Sequence, residues 1–375
     1  MASGGRNRRP AMRKRALSLL LWLCAACEVV PTGMPSQGRD PLRYETCVDK
    51  ESQQAYDRAS VLLQSGEERE ALPFLRMVIE RCPDHVVAHR QYQEAAQHLR
   101  AEAEVAMRSY YRLLPDRPDS PVPAYLKAAL LLTDFERAQA LAKIIERDNN
   151  FPFAHCSLAR VQRRIGRLQE AADSYQRALA LHRKWVEAYA ELADTYVELG
   201  QYEAAAAAYD NSLRAAPDDR TNMRAYAQVL LYRLGRTSEA QALILRLQQL
   251  DPSDAAAKLD FAACEWFSGN HDAAAAAYVE VLTMAQASPQ LQARAAINIG
   301  NLHYDRFDKE GADRPTRELS GRKARKAYLL FLRFIRPEDG QDQFERMFAV
   351  PFRLRAIDQL LGPDDGLPPV ISELK

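Results

Sequence analysis

The stretch VEAYAELADTYVELGQYEAAAAAYDNSLRAAPDD, residues 186–219, decides the fold because it reappears later in the chain with the same spacing. Residues 255–288, AAAKLDFAACEWFSGNHDAAAAAYVEVLTMAQAS, align with it without gaps. The alignment pairs identical residues, namely Gly200 with Gly269, Ala205 with Ala274 and Tyr209 with Tyr278. A period of about 34 residues predicts a stack of similar helix pairs, since one pair cannot cover its own apolar face.

Each repeat has the pattern of two short helices joined by a tight turn. Apolar residues recur at helical spacing, as at Leu192, Tyr196 and Leu199, so one stripe of the helix is expected to be buried. The turn glycine supplies a backbone conformation that a side chain would penalise. Alanine runs at 204–208 and 273–277 favour helix and allow close approach of neighbouring backbones. The same frame aligns Gly66 and Ala71, Gly166 and Ala171, and Gly235 and Ala240. The predicted fold class is therefore all-α.

Residues 186–219 resemble the tetratricopeptide-repeat (TPR) family. The positions that carry the resemblance are Tyr189, Leu192, Ala193, Tyr196, Gly200, Tyr202, Ala205, Tyr209 and Pro217. The resemblance covers residues 52–288 and continues more weakly to 337. It implies a right-handed α-solenoid of about seven to eight antiparallel helix pairs. It also implies a concave groove that binds other proteins, and no catalytic activity.

The chain divides into five segments by composition and pattern. They are a signal peptide at 1–26, a lipidated cysteine and flexible tether at 27–50, the solenoid at 51–288, a distorted eighth repeat at 289–337, and capping helices with a tail at 338–375. A polar stretch at 308–322 containing glycine and proline predicts a long insertion loop. Residues 363–375 are expected to be frayed. The repeats at 86–118 and 119–152 are degenerate, with Arg100 and Thr133 in place of the turn glycine.

The N-terminus has the features of an export signal. A basic stretch at 13–15 precedes an apolar segment at 16–23, which is typical of a secretory signal peptide. Ala25, Ala26 and Cys27 resemble the bacterial lipobox, in which a lipid is attached to the cysteine. We therefore expect a lipoprotein of the cell envelope, facing the periplasm from the outer membrane. Cleavage without lipidation, which would give a soluble periplasmic or secreted protein, is the alternative.

Composition and motifs argue against catalytic activity and nucleic-acid binding. A formal net charge of +1 disfavours attraction of the whole surface to nucleic acid. The sequence contains no Gly-rich phosphate loop, HExxH or GxSxG motif. We therefore predict no enzyme, no cofactor, no metal and no small-molecule substrate. The alternative is an enzyme or regulator of cell-wall metabolism with 306–375 as the active appendage, although that region contains no histidine or cysteine.

The cysteines outside the signal have separate predicted roles. Cys47 precedes the first helix and Cys82 ends the second, and an antiparallel pair brings those ends together. A disulfide between them is therefore plausible, with two free thiols as the alternative. Cys156 and Cys264, three repeats apart, are expected to be unpaired.

The spacing of Cys82, His85 and His89 could suggest metal ligands. It lacks a fourth ligand nearby, and the two histidines straddle the junction between repeats. We interpret them as exposed histidines beside a structural cysteine.

The resemblance to the family also assigns groove positions. They are Phe153, Arg160, Arg163 and Arg164 as a basic patch, Glu187, Asp194 and Glu198 as an acidic patch, then Asn222, Tyr232 and Arg233, and finally Trp266 and Phe267. Charge blocks with an aromatic end suit an extended or helical segment of a partner protein. The alternative is that Trp266 is core and the charges are ordinary solvated faces. The expected partners are envelope proteins that assemble into a multiprotein complex.

Overall fold

Helices account for 80% of the structure. The computed structural model describes residues 44–47, 49–99, 102–112, 114, 117, 119–309, 311–335, 345–362 and 371–374. Over these residues no strand occurs, and sixteen α-helices between Lys50 and Phe334 form eight consecutive pairs. The all-α solenoid predicted from the repeat is confirmed.

The first seven pairs follow the repeat frame. Their helices are α1 (Lys50–Gln64) and α2 (Glu68–Arg81), α3 (Val86–His98) and α4 (Ala103–Arg112), α5 (Val122–Ala129) and α6 (Asp134–Arg147), α7 (Pro152–Arg164) and α8 (Leu168–Leu181), α9 (Val186–Glu198) and α10 (Tyr202–Ala215), α11 (Arg220–Tyr232) and α12 (Thr237–Leu250), and α13 (Ala255–Phe267) and α14 (His271–Thr283). At every junction except that of the second and third pairs, the second helix of a pair packs on the first helix of the next, and at that junction α5 packs on α3. Ala205 and Ala274 are fully buried, as close helix packing requires.

The turn inside a repeat is built by its glycine. Gly200 has a φ of 73°, and the Gln201 N–H donates to the Tyr196 carbonyl over 2.8 Å. The Gly200 N–H donates to Val197, so the last carbonyls of α9 are satisfied by a Schellman motif. In the degenerate third repeat the hydroxyl of Thr133 instead accepts from the Glu136 N–H and caps α6.

The eighth pair has a shorter loop than the sequence predicted. Its helices are α15 (Pro289–Asp308) and α16 (Arg314–Phe334). The predicted loop at 308–322 is therefore wrong, because α16 begins at Arg314, eight residues before the predicted end of the loop. Asp313 caps α16 by accepting from the Thr316 N–H over 2.8 Å, and a proline in the first turn suits a helix start.

Glycine in the eighth pair serves close packing. Gly300 of α15 faces the ring of Tyr328 in α16, and a Cβ at Gly300 would lie 2.5 Å from that ring. Gly321 of α16 is equally confined by Phe307 and Leu361. The glycine at position 321, which suggested a loop, is therefore a packing residue inside a helix.

Gly300→Ala is expected to destabilise the protein by about 1–3 kcal/mol, because the added methyl group must displace the Tyr328 ring. Alanine is favoured over glycine in helices by about 1 kcal/mol, so the clash has to outweigh that gain. Urea unfolding would measure the change, with Arg294→Ala at an exposed position of α15 as the control. Equal or greater stability of Gly300→Ala would contradict the packing account.

The C-terminal region covers the end of the stack. A π-helical turn (Glu345–Ala349) leads into α17 (Val350–Leu361), which packs on α16. Arg325 of α16 donates to Asp358 over 2.6 Å. A short 3₁₀ turn (Ile371–Leu374) packs on α14 and α16, and Leu374 is fully buried. The expected fraying of 363–375 is therefore wrong for 371–374, because an apolar side chain anchors that turn.

Some predictions fall on residues outside those described. They are the signal peptide at 1–26, the lipidated Cys27, and the tether at 27–50 as far as residue 43. Among the helices that the structure does describe, none combines the length and apolar character needed to cross a membrane.

Candidate protein-binding groove

The first helices of the repeats line a groove. The largest of the cavities found along it among the described residues, about 570 Å³, is bounded by side chains that include Tyr56 of α1, Arg90 of α3, Arg160 of α7 and Glu187 of α9. Two adjoining cavities of about 200 Å³ and 370 Å³ continue along α5, α7 and α9. Arg160 borders all three, so it stands at the middle of the groove.

Ion pairs link successive repeats along this groove. Arg160 contacts Glu191 over 2.8 Å, and Arg163 contacts Glu198 over 2.6 Å. Arg164 reaches back to Asp134 of the preceding repeat over 2.5 Å. These contacts form an ion-pair ladder, because each joins residues of adjacent repeats. The ladder leaves most of its side chains partly accessible, so they can also contact a partner.

The ladder corrects the predicted charge pattern. The basic and acidic patches are not fully separate blocks, because Arg163 pairs with Glu198. Arg160 and Arg164 pair with Glu191 and Asp134, two carboxylates outside the predicted acidic patch. Asp194 also belongs to this network, since it accepts from the Tyr209 hydroxyl and lies 3.7 Å from Arg163. The groove therefore presents alternating charges, which suit a partner segment with charges of both signs.

Two of the predicted groove residues are almost fully buried, although Phe153 still borders the cavity of about 570 Å³. Phe153 is only 2% exposed and packs against Trp185, with ring centroids 4.9 Å apart. Asn222 is buried at the start of α11, where it donates to Ser212 and Asp219. Both side chains hold the fold, because the first turn of each first helix packs against the neighbouring repeat.

The predicted aromatic end is partly accessible. Tyr232 and Phe267 are exposed and meet edge to face, with ring centroids 5.9 Å apart. Trp266 is half-buried and packs on the core of the last repeats, so the alternative interpretation applies to it in part. Arg233 is exposed and lies over the Tyr202 ring.

The two histidines near Cys82 are buried rather than exposed. His85 accepts from the Ala88 N–H through Nδ1, and His89 lies 3.1 Å from the Tyr110 hydroxyl. Burial lowers the pKa of each histidine to about 4. Within the residues described, no cluster of three or more potential metal ligands occurs. These histidines are therefore capping and packing residues of the first two repeats.

The segment at 44–47, predicted as flexible tether, is instead docked in the groove. Tyr44 is 2% exposed, and Glu45 and Thr46 border the largest cavity. Glu45 Oε1 lies 3.1 Å from Nε2 of His182, at the junction between α8 and α9. Sequence reasoning missed this segment because its proline-rich and polar surroundings carry no helical period, and the one available signal is its tyrosine.

The docked segment is covalently fixed to the first repeat. Cys47 and Cys82 form a disulfide, with Cα atoms 5.9 Å apart. The pairing places the end of α2 beside the residue that precedes α1, as the antiparallel arrangement suggested. Cys156 and Cys264 are free and buried.

A stack of helix pairs with an accessible groove along its first helices is the architecture of an α-solenoid. The tetratricopeptide repeat model matches residues 127–184, 190–255 and 229–291. Residues 127–291 therefore belong to the tetratricopeptide-repeat superfamily, whose members are in general non-catalytic interaction modules. This superfamily assigns the chain the general role of a protein-interaction scaffold.

Several solved structures are similar to this chain. YrrB, a TPR protein described as having an unusual peptide-binding site, is 23% identical over 52% of this chain and 97% of its own, with a TM-score of 0.40. A tetratricopeptide repeat protein from Parabacteroides merdae is 13% identical over 82% of this chain and 99% of its own, with a TM-score of 0.37. The pilF protein of Pseudomonas aeruginosa is 18% identical over 63% of this chain and 92% of its own, with a TM-score of 0.40. No curated protein matches the chain.

Proposed function

We propose that this protein is a scaffold of the bacterial cell envelope that binds an extended or helical segment of a partner protein in the groove along α3, α5, α7 and α9. The N-terminal lipid on Cys27 would hold it at the membrane, with the solenoid in the periplasm. Its role would be to assemble an envelope complex rather than to catalyse a reaction.

The groove around Arg160 carries this proposal. Three adjoining cavities meet there, and their combined lining offers charges of both signs beside apolar surface. A cavity of about 570 Å³ lies in the size range of sites that hold a ligand group, roughly 300–1,000 Å³. A partner segment would exchange its own charged groups with members of the ion-pair ladder as it enters.

A charge reversal in the groove tests the proposal. Arg160→Glu is expected to lower the affinity for the native partner about tenfold or more, because it removes a central cation and places two carboxylates together. Binding would be measured by quantitative co-purification from detergent-solubilised envelope. Arg246→Glu is the matched control, since Arg246 lies on α12 outside the groove and pairs with Asp218.

A charge swap separates binding from folding. The double variant Arg160→Glu with Glu191→Arg restores the internal ion pair with its charges exchanged, so we expect its unfolding midpoint to recover while binding stays lost. Recovery of full binding in the swap would mean that the pair acts only on stability. Unchanged binding in Arg160→Glu would refute the groove as the partner site.

A further inference from the structure

Tyr44, in the segment before the first repeat, contacts the fourth repeat. Its ring packs edge-on against Phe151 and Phe153, with centroids 5.0 Å and 5.9 Å apart. Both phenylalanines stand at the start of α7, in the fourth repeat, whereas Tyr44 precedes the first. The segment therefore crosses the groove instead of following the helix it leads into.

The site around Tyr44 is an aromatic cage. Tyr125 of α5 meets Phe151 at 5.3 Å, and Trp185 before α9 meets Phe153 at 4.9 Å. All four cage rings are at most 9% exposed with Tyr44 in place. Aromatic pairs of this kind attract each other beyond the burial of apolar area, so the cage favours one further ring.

A polar contact stands beside the cage. The carboxylate of Glu45 pairs with His182, whose ring lies tilted against that of Trp185 with centroids 5.5 Å apart. The hydrogen bond to Glu45 raises the pKa of His182, although burial opposes that shift. Charged groups that line the same cavity include Glu187, Lys184, Arg90, Glu94 and Arg160. The cage and His182 together accept an aromatic residue followed by an acidic one.

We propose that this site binds a partner segment carrying an aromatic residue followed by an acidic residue, and that Tyr44 and Glu45 occupy it in cis until such a segment displaces them. The proposal rests on the groove function above and gives the chemistry of its ligand. The cavity of about 570 Å³ bordered by Glu45 and Thr46 leaves room for the rest of an incoming chain. The Cys47–Cys82 disulfide keeps the cis segment at high local concentration, so it acts as a competitor for the site.

A peptide supplied in trans tests this inference. The probe is a fluorescent DPLRYET peptide, the sequence of residues 40–46, added to the full chain in detergent, with binding read by anisotropy. Tyr44→Ala empties the cage, so we expect it to bind the peptide at least tenfold more tightly than the wild type. Tyr44→Phe is the matched control because it keeps a ring in the cage and should behave as the wild type does.

Altered peptides test the sequence requirement, and a second protein variant is available if Tyr44→Ala does not fold. Peptides with the tyrosine changed to alanine, or the glutamate to glutamine, should bind Tyr44→Ala protein at least tenfold more weakly. If Tyr44→Ala does not fold by circular dichroism, the Cys47→Ser and Cys82→Ser double variant replaces it. That variant keeps Tyr44 but loosens the cis segment, so peptide binding should rise above that of the wild type.

Failure of the folded Tyr44→Ala protein to bind the peptide would overturn the inference. Equal binding by the wild type, or by the peptide without tyrosine, would also overturn it. If the cysteine variant is used, a failure to gain peptide binding has the same meaning. None of these results would alter the Arg160 and Glu191 charge-swap experiment, which tests partner binding to the groove independently.

Discussion

Replacing Cys27 by serine is expected to move the protein from the membrane fraction to the soluble fraction of the envelope. The proposed lipid is attached to this residue, and each buried methylene contributes about 0.8 kcal/mol to membrane binding. Two or three acyl chains therefore anchor a protein almost permanently, whereas the serine variant has none. Fractionation with and without metabolic labelling by palmitate would measure the change.

Cys24→Ser is the matched control, since it alters a cysteine of the predicted signal but leaves the predicted lipid acceptor. We expect this variant to incorporate label and to remain in the membrane fraction. A wild-type protein that takes up no palmitate would remove the anchor from the account. The proposal that a partner binds in the groove does not depend on the lipid anchor.

The second large effect is a loss of stability in mild acid. Burial lowers the pKa of His85, His89 and His303 to about 4 in the folded protein, against about 6.5 when unfolded. The unfolded chain therefore binds more protons between those values. Stability is fully present above pH 6.5 and is lost as the pH falls toward 4. Each histidine accounts for at most about 3 kcal/mol of that loss.

The structure explains why these histidines resist protonation. Nδ1 of His85 accepts a backbone N–H, so a proton there would remove a helix cap. Burial of His303 disfavours its charged form and lowers its pKa, although the contact of its Nε2 with the Leu374 carbonyl opposes that shift. The pKa of His182 is raised rather than lowered, so its effect on the pH dependence of stability is opposite. It contributes stability below about pH 6.5 that is lost as the pH rises through its folded pKa.

Urea unfolding between pH 7.5 and 4.5 would measure the acid effect. His89→Gln should flatten the pH dependence, because it removes one buried titrating ring and keeps hydrogen-bonding atoms. His271→Gln at an exposed position of α14 should leave the slope as it is in the wild type. A free energy of unfolding that is constant over this range would contradict the account.

The helix pairs were predictable because they repeat. Glycine and alanine recur at the positions equivalent to Gly200 and Ala205 through most of the solenoid. The glycine allows the turn between the helices, and the alanine allows close helix contact. The errors arose where local chemistry is ambiguous. Gly321 could mark a loop or a close helix contact, and only the position of Phe307 decides between them.

The site was less predictable because it depends on contacts between repeats. Arg160 and Glu191 are 31 residues apart, and Arg163 and Glu198 are 35 apart. An offset of about one repeat was therefore a usable signal for pairing, since equivalent helices are neighbours in a solenoid. The contact of Tyr44 with the fourth repeat had no such signal, because the segment before α1 lies outside the period.

Photo-crosslinking from within the groove tests the central claim most directly. Benzoylphenylalanine would replace Gln91, which borders the largest cavity, and in a second protein Leu245, which is exposed on α12. The account predicts that irradiation in intact cells couples one short segment of a partner protein to position 91 and none to position 245. A partner captured only at position 245, or equally at both, would contradict binding in the groove.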